Sequence, residues 1–154
     1  MKIRIEVNRD LVEDEVLIRC KQMNDSVQKI SRLIFEQAKS EQKITFYKQN
    51  REFYFPLKDI LFFETTGDHV YAHTTSDAYQ VKYRLYELEN ILPLFFARAS
   101  KSTIINVCRV YSVTRSLTSS SLVSFAKSHK QIYASRYYYK ELQRRLQERS
   151  SYET

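Results

Sequence analysis

The chain has 154 residues, 43% of them hydrophobic and 28% charged, with a formal net charge of +7. That length and hydrophobic share fit one folded domain with room for a small appendage, and they exclude a disordered chain. The single glycine excludes glycine-rich phosphate loops, and the two cysteines, set in no CxxC, exclude a disulfide framework.

The first residues, Lys2-Ile3-Arg4-Ile5-Glu6-Val7, alternate charged and apolar. They read as a half-buried strand, with none of the features of a secretory leader. Glu15–Cys20 reads as a second strand. Asn24-Asp25-Ser26 offers a helix cap, with Gln28 three residues beyond Asp25 as a capping-box partner. Val27, Ile30, Ile34 and Ala38 then recur at helical spacing. Residues 1–39 are thus expected to form a strand–strand–helix extension, and 40–43 a polar hinge.

Beyond the hinge the pattern is that of short strands with turns between them, at 43–48, 51–55, 60–66, 69–74 and 78–82. Val81, Leu85, Leu88 and Leu92 mark a short helix that Pro93 stops. Strands resume at 94–99, 109–115, 121–126 and 130–134. Ser135 is placed to cap a final helix running to about 148, with Tyr138, Leu142 and Leu146 as its apolar stripe. The fold class is therefore mostly β, with flanking helices. The longest uncharged run, 116–126, is too short and serine-rich to cross a membrane. With no leader in view, a cytoplasmic protein is expected.

Charge is unevenly distributed. Residues 1–77 carry 12 Lys/Arg against 13 Asp/Glu, and residues 78–154 carry 13 against 5. No acid lies between Asn90 and Lys140. This favours a polyanionic partner for the second half, or a merely solvated basic face. Arg98-Ala99-Ser100-Lys101-Ser102-Thr103 packs two cations and three hydroxyls into one turn, the side chains that most often meet phosphates. His69 follows the chain's only glycine, Gly67, which suits a turn that aims a side chain outward. It could donate to a base edge or be an ordinary surface histidine. His69 and His73 on one strand would stand roughly 13 Å apart, too far to share a metal ion. No catalytic motif appears, so neither enzyme chemistry nor a cofactor is expected. Ser135 and Arg136 open the last helix, whose free N–H groups attract anions.

Taken together, these residues resemble the LytTR family of bacterial DNA-binding domains over about 43–149. The resemblance rests on Pro56-Leu57-Lys58-Asp59-Ile60-Leu61-Phe62-Phe63-Glu64 with His69, on Tyr83-Arg84-Leu85-Tyr86-Glu87-Leu88-Glu89, and on Phe96 to Asn106. Val113, Val123-Ser124-Phe125 and Ser135-Arg136-Tyr137-Tyr138-Tyr139-Lys140-Glu141-Leu142 extend it. It implies an elongated β domain that inserts loops into successive major grooves of double-stranded DNA, as a sequence-specific transcription regulator. It assigns base contacts to His69, Lys101 and Arg136 or Tyr137. It assigns backbone contacts to Arg98, Ser102, Ser135 and Lys140. Lys101 stands where the family often has Asn. The resemblance further implies a standalone member without a phosphoacceptor receiver. Such a member acts as a homodimer or pairs on repeat sites, and is restrained by a small membrane protein encoded alongside. The rival reading is a protein-interaction adaptor with a basic solvated face. A small hydrolase built on His69 is a distant third and would need an acid or a nucleophile beside that histidine.

Overall fold

Ten antiparallel strands, counted among the described residues, carry the second and larger part of the molecule. The structure is a computed structural model that describes residues 2–12, 14–40 and 43–152. It divides into two units, Met1–Phe35 and Glu36–Thr154. The hinge expected at 40–43 falls mainly on residues 41 and 42, outside the described residues.

In the first unit the expected helix forms. It is α1, Asp25–Ser40, which continues into the second unit. Asn24 supplies the cap: its Oδ1 accepts from the Val27 N–H at 3.0 Å, which satisfies one of the donors a helix start leaves open. The two strands expected at 2–7 and 15–20 do not form; their described residues have no regular secondary structure and no ladder. Ile3, Ile5 and Val7 stand 87%, 85% and 86% exposed. Alternation specifies a strand only where another strand is present to pair with it, and among the described residues of this unit there is none.

The second unit is built on a seven-stranded sheet. Its strands are β1 (Phe46–Lys48), β2 (Arg51–Phe53), β3 (Phe62–Thr66), β4 (His69–His73), β5 (Ala78–Val81), β6 (Phe96–Ser100) and β7 (Thr103–Asn106), in spatial order β2-β1-β5-β4-β3-β7-β6. A three-stranded sheet adds β8 (Val110–Thr114), β9 (Ser121–Phe125) and β10 (Gln131–Ala134), with β9 central. The short helix α2 is Leu85–Ile91 and the last helix α3 is Arg136–Glu148.

Because successive strand residues face opposite sides, the seven-stranded sheet feeds two cores. Phe63, Val70, Ala72, Val81, Phe96 and Ile104 point to one side, where Leu85 and Leu88 of α2 cover them. Phe62, Ala97, Ala99 and Ile105 point to the other, where Val123 and Phe125 of β9, Ile132 of β10 and Leu142 of α3 pack on them. Arg145 of α3 also donates to the Leu94 carbonyl at 2.6 Å.

One polar cluster ties the two sheets together. His73 stacks on Phe62, ring centroids 4.3 Å apart, and Phe62 stacks on Phe125. Lys130 reaches His73 Nδ1 at 3.3 Å and the Asp77 carbonyl at 2.6 Å. Ser128 donates to the Thr75 carbonyl. Burial, then the Lys130 ammonium, holds the His73 imidazole down at about 4, with Glu64 facing its Nε2 at 3.7 Å. The unfolded chain takes up this proton near 6.5, whereas the folded one resists until about 4. Stability should therefore be full above pH 6.5 and fall as pH drops towards 4. Urea unfolding of wild type and His73→Gln at pH 7 and 4.5 checks it: the variant should show the smaller acid loss.

Candidate nucleic-acid interface

Two turns and the start of the last helix converge at one end of the seven-stranded sheet. The first joins β3 to β4. Thr66 pairs with His69, so Gly67 and Asp68 alone make the turn. Gly67 takes φ +61, where a side chain is strained, and nothing lies within 4 Å of where its Cβ would sit. The glycine is thus required by the backbone, not by a close neighbour. His69 leaves this turn exposed. Its Nδ1 lies 3.1 Å from the Gln80 amide nitrogen. An amide N–H donates, so Nδ1 accepts, and the tautomer this network assigns leaves an Nε2–H pointing outward as a donor.

The second turn joins β6 to β7. Ser100 pairs with Thr103, leaving exposed Lys101 and Ser102 at the tip, after a bulge between Arg98 and Ser100. Since β7 lies beside β3 and runs antiparallel to it, this tip falls at the same end as Gly67. The Thr65 N–H donates to the Ser102 carbonyl at 2.9 Å and joins the two tips directly. Ser100 Oγ accepts from the Ser102 N–H at 3.2 Å and fixes the turn from within.

The third element is the start of α3. The Ser135 N–H donates to the Ala99 carbonyl at 2.8 Å, which fastens the helix start to β6. Ser135 occupies the cap position, but its hydroxyl makes no cap bond. That hydroxyl is instead buried without a hydrogen-bonding partner among the described residues. Arg136, Tyr137 and Lys140 are exposed, and the Tyr137 and Tyr138 rings meet edge to face at 4.9 Å.

Arg98 has a different position from the one its sequence context suggests. Its guanidinium turns back on its own hairpin, donating to the Ser100 carbonyl at 2.6 Å and to the Lys101 carbonyl. It also pairs with Glu89 of α2 at 2.7 Å and lies 5.9 Å from the Tyr138 ring centre. One planar fork thereby joins the middle tip, α2 and the start of α3. Arg98→Ala should lower stability by about 1–3 kcal/mol, because two turn carbonyls lose a charged donor. Thermal melting checks this, with Arg98→Lys expected to recover only part of the loss.

His69, Arg98 and Lys101 line one cleft of about 680 Å³, together with Gln80, Lys82 and Arg84. None of the last three is a site residue in the sequence reading. The register pairs Val70 with Val81, so Lys82 continues β5 across from His69. A sequence without its register cannot reveal that. Lys82 also stacks over Tyr47 at 4.3 Å. Among the described residues no group of three His, Cys, Asp or Glu side chains is placed to hold a metal ion. Nor is any helix long and apolar enough to cross a membrane.

Residues 50–147 match the family described as the LytTr DNA-binding domain. The chain is 31% identical over 147 residues to an uncharacterized HTH-type transcriptional regulator of Staphylococcus aureus strain NCTC 8325 / PS 47, covering 95% of this chain and 98% of that one. A counterpart in the bovine strain RF122 / ET3-1 is 30% identical over 148 residues, with the same coverage. Among solved structures, the fold resembles the LytTr DNA-binding domain of a protein described as a methyl-accepting/DNA response regulator from Bacillus cereus. The TM-score is 0.62 at 21% identity, over 68% of this chain and 97% of that one.

Proposed function

The chain belongs to the LytTR family of DNA-binding domains, and from that premise we propose that it is a sequence-specific, DNA-binding transcription regulator of a bacterial cell that reads DNA with turns. The observation that carries the reading is the convergence of two exposed turns and the start of α3 at one end of a rigid sheet. Each element offers a hydrogen-bond donor, and two of the three, at Lys101 and Arg136, lie on the basic half of the chain.

His69 offers an Nε2–H, Lys101 an ammonium and Arg136 a planar fork, all suited to the N7 and O6 acceptors of guanine in a major groove. Tyr137, 86% exposed, stands beside Arg136 and would contact a base or sugar. Ser102 and Lys140, both exposed, would meet phosphates and set the register of the complex. Arg98 and Ser135 act one step back. Arg98 holds the middle tip in shape, and the buried Ser135 hydroxyl leaves only its backbone to position α3.

Among the described residues the three α-helices are separated in sequence by strands. A pair of successive helices docking one of them in the groove is therefore not the mode proposed. The turns would enter adjacent grooves from one face, without catalysis and without a cofactor. Two copies on repeated sites would supply the affinity that one set of turns lacks.

Salt titration tests the electrostatic part. Affinity for duplex DNA should fall steeply as salt rises, and Lys140→Ala should make the log–log slope shallower by about one while weakening all sequences alike. Wild-type affinity that is insensitive to salt would favour the adaptor reading.

A further inference from the structure

The first unit is unusually apolar on its outside. Of the seventeen large hydrophobic side chains exposed among the described residues, eleven lie within Met1–Phe35. Three of them, Ile3, Ile5 and Val7, alternate with Lys2, Arg4, Glu6 and Asn8 along a segment without regular secondary structure, with no strand paired to it among the described residues. The run ends where Asn8 Oδ1 accepts from the Asp10 N–H and turns the backbone. An unpaired, alternating segment of this kind is a template for another strand.

We propose that residues 2–8 of two copies pair as antiparallel strands about a twofold axis at Ile5, making the protein a dimer. The sequence itself selects this register. Centred on Ile5, Ile3 faces Val7, Ile5 faces Ile5, and each Arg4 faces a Glu6 of the other copy. A shift that centres on Arg4 or Glu6 keeps apolar against apolar but sets like charges face to face on the axis. A slip of one residue mixes apolar with charged side chains. Parallel pairing opposes Arg4 to Arg4 and Glu6 to Glu6. Only the register centred on Ile5 leaves every pair compatible.

A two-stranded ribbon is marginal by itself. Val16, Leu17 and Leu33 of the same unit are exposed by 65%, 65% and 66%, further apolar surface on which the paired ribbon would pack. The purpose of the dimer rests on the DNA-binding reading, since it joins two sets of reading turns in one molecule. Its geometry does not.

Sedimentation velocity on the full chain without DNA is the test. Wild type should be a dimer. Arg4→Glu and Glu6→Arg should each weaken association about tenfold or more, since each sets like charges opposite one another twice per dimer. The combined variant, with the two charges exchanged, should restore it. Circular dichroism of each variant confirms that the remainder stays folded. As a register check, Ile5→Cys in a Cys20→Ser background should form a covalent dimer on oxidation. Directly opposed strand positions lie about 4.5–5.5 Å apart, within disulfide reach.

A wild type that stays monomeric overturns the proposal. So does a dimer indifferent to either single reversal, or one that the exchange fails to restore. None of these results touches DNA binding, which is measured separately. The monomeric variants should still bind a single site and lose about 10²-fold or more on paired sites.

Discussion

Asn106→Ala should cost about 3 kcal/mol of stability, the largest effect expected from any single polar substitution in the β domain. Asn106 is 1% exposed at the end of β7. Its Oδ1 accepts from the Cys108 N–H at 3.0 Å and caps the short turn that leads to β8. Its Nδ2 donates to the Ile60 carbonyl at 3.0 Å and approaches the Lys58 carbonyl at 3.5 Å. Alanine would strand a backbone donor and an acceptor in the interior, at about 1–3 kcal/mol each. For a chain of this size the expected fall in melting temperature is about 6–12 °C. Asn106→Asp should be nearly as damaging, since it keeps the acceptor but loses the donor and buries a charge. Thermal melts of both variants check this, and a loss below about 1 kcal/mol would mean that water replaces the amide.

The second large effect concerns binding. His69→Ala, Lys101→Ala and Arg136→Ala should each cost about 1–3 kcal/mol on the specific site and far less on random duplex. All three side chains are exposed, so melting temperatures should scarcely move. The same assay separates Arg136 from Tyr137: the residue that reads a base should relax preference at one position when truncated. Titrating each variant against specific and scrambled duplexes at one salt concentration gives the answer. Equal losses on both duplexes would reassign that residue to the DNA backbone.

Most of the β domain is legible in the sequence because its strands have one simple periodicity and clear stops. Pro93 lies two residues beyond the end of α2, and Gly67 sits in the turn predicted around it. β7 is the instructive exception. Thr103, Ile104, Ile105 and Asn106 are all buried, because the strand lies between β3 and β6 with cores on both sides. It shows as a plain apolar segment, without the alternation that marks a strand. The reverse holds at the N-terminus, where clean alternation from Lys2 to Val7 pairs with no strand among the described residues.

The candidate site divides along a similar line. Sequence finds exposed donors at turns, His69 and Lys101, since turn chemistry is local. It cannot find that the Arg98 guanidinium folds back onto Ser100 and Lys101, or that the Ser135 hydroxyl is covered. Those outcomes depend on how β6 meets α2 and α3. Gln80, which sets the His69 tautomer, is identifiable only from the pairing of β4 with β5.

Selection of bound duplexes from a random-sequence pool, followed by titration of the enriched site and its scrambled version, tests the central claim most directly. The account predicts enrichment of a defined motif and a preference of about 10³-fold or more over scrambled duplex at physiological salt. It also predicts that this preference narrows when His69, Lys101 or Arg136 is truncated. No enrichment, with equal affinity for every duplex, would contradict sequence reading. Wild-type discrimination by all three truncated variants would place the reading surface elsewhere on the molecule.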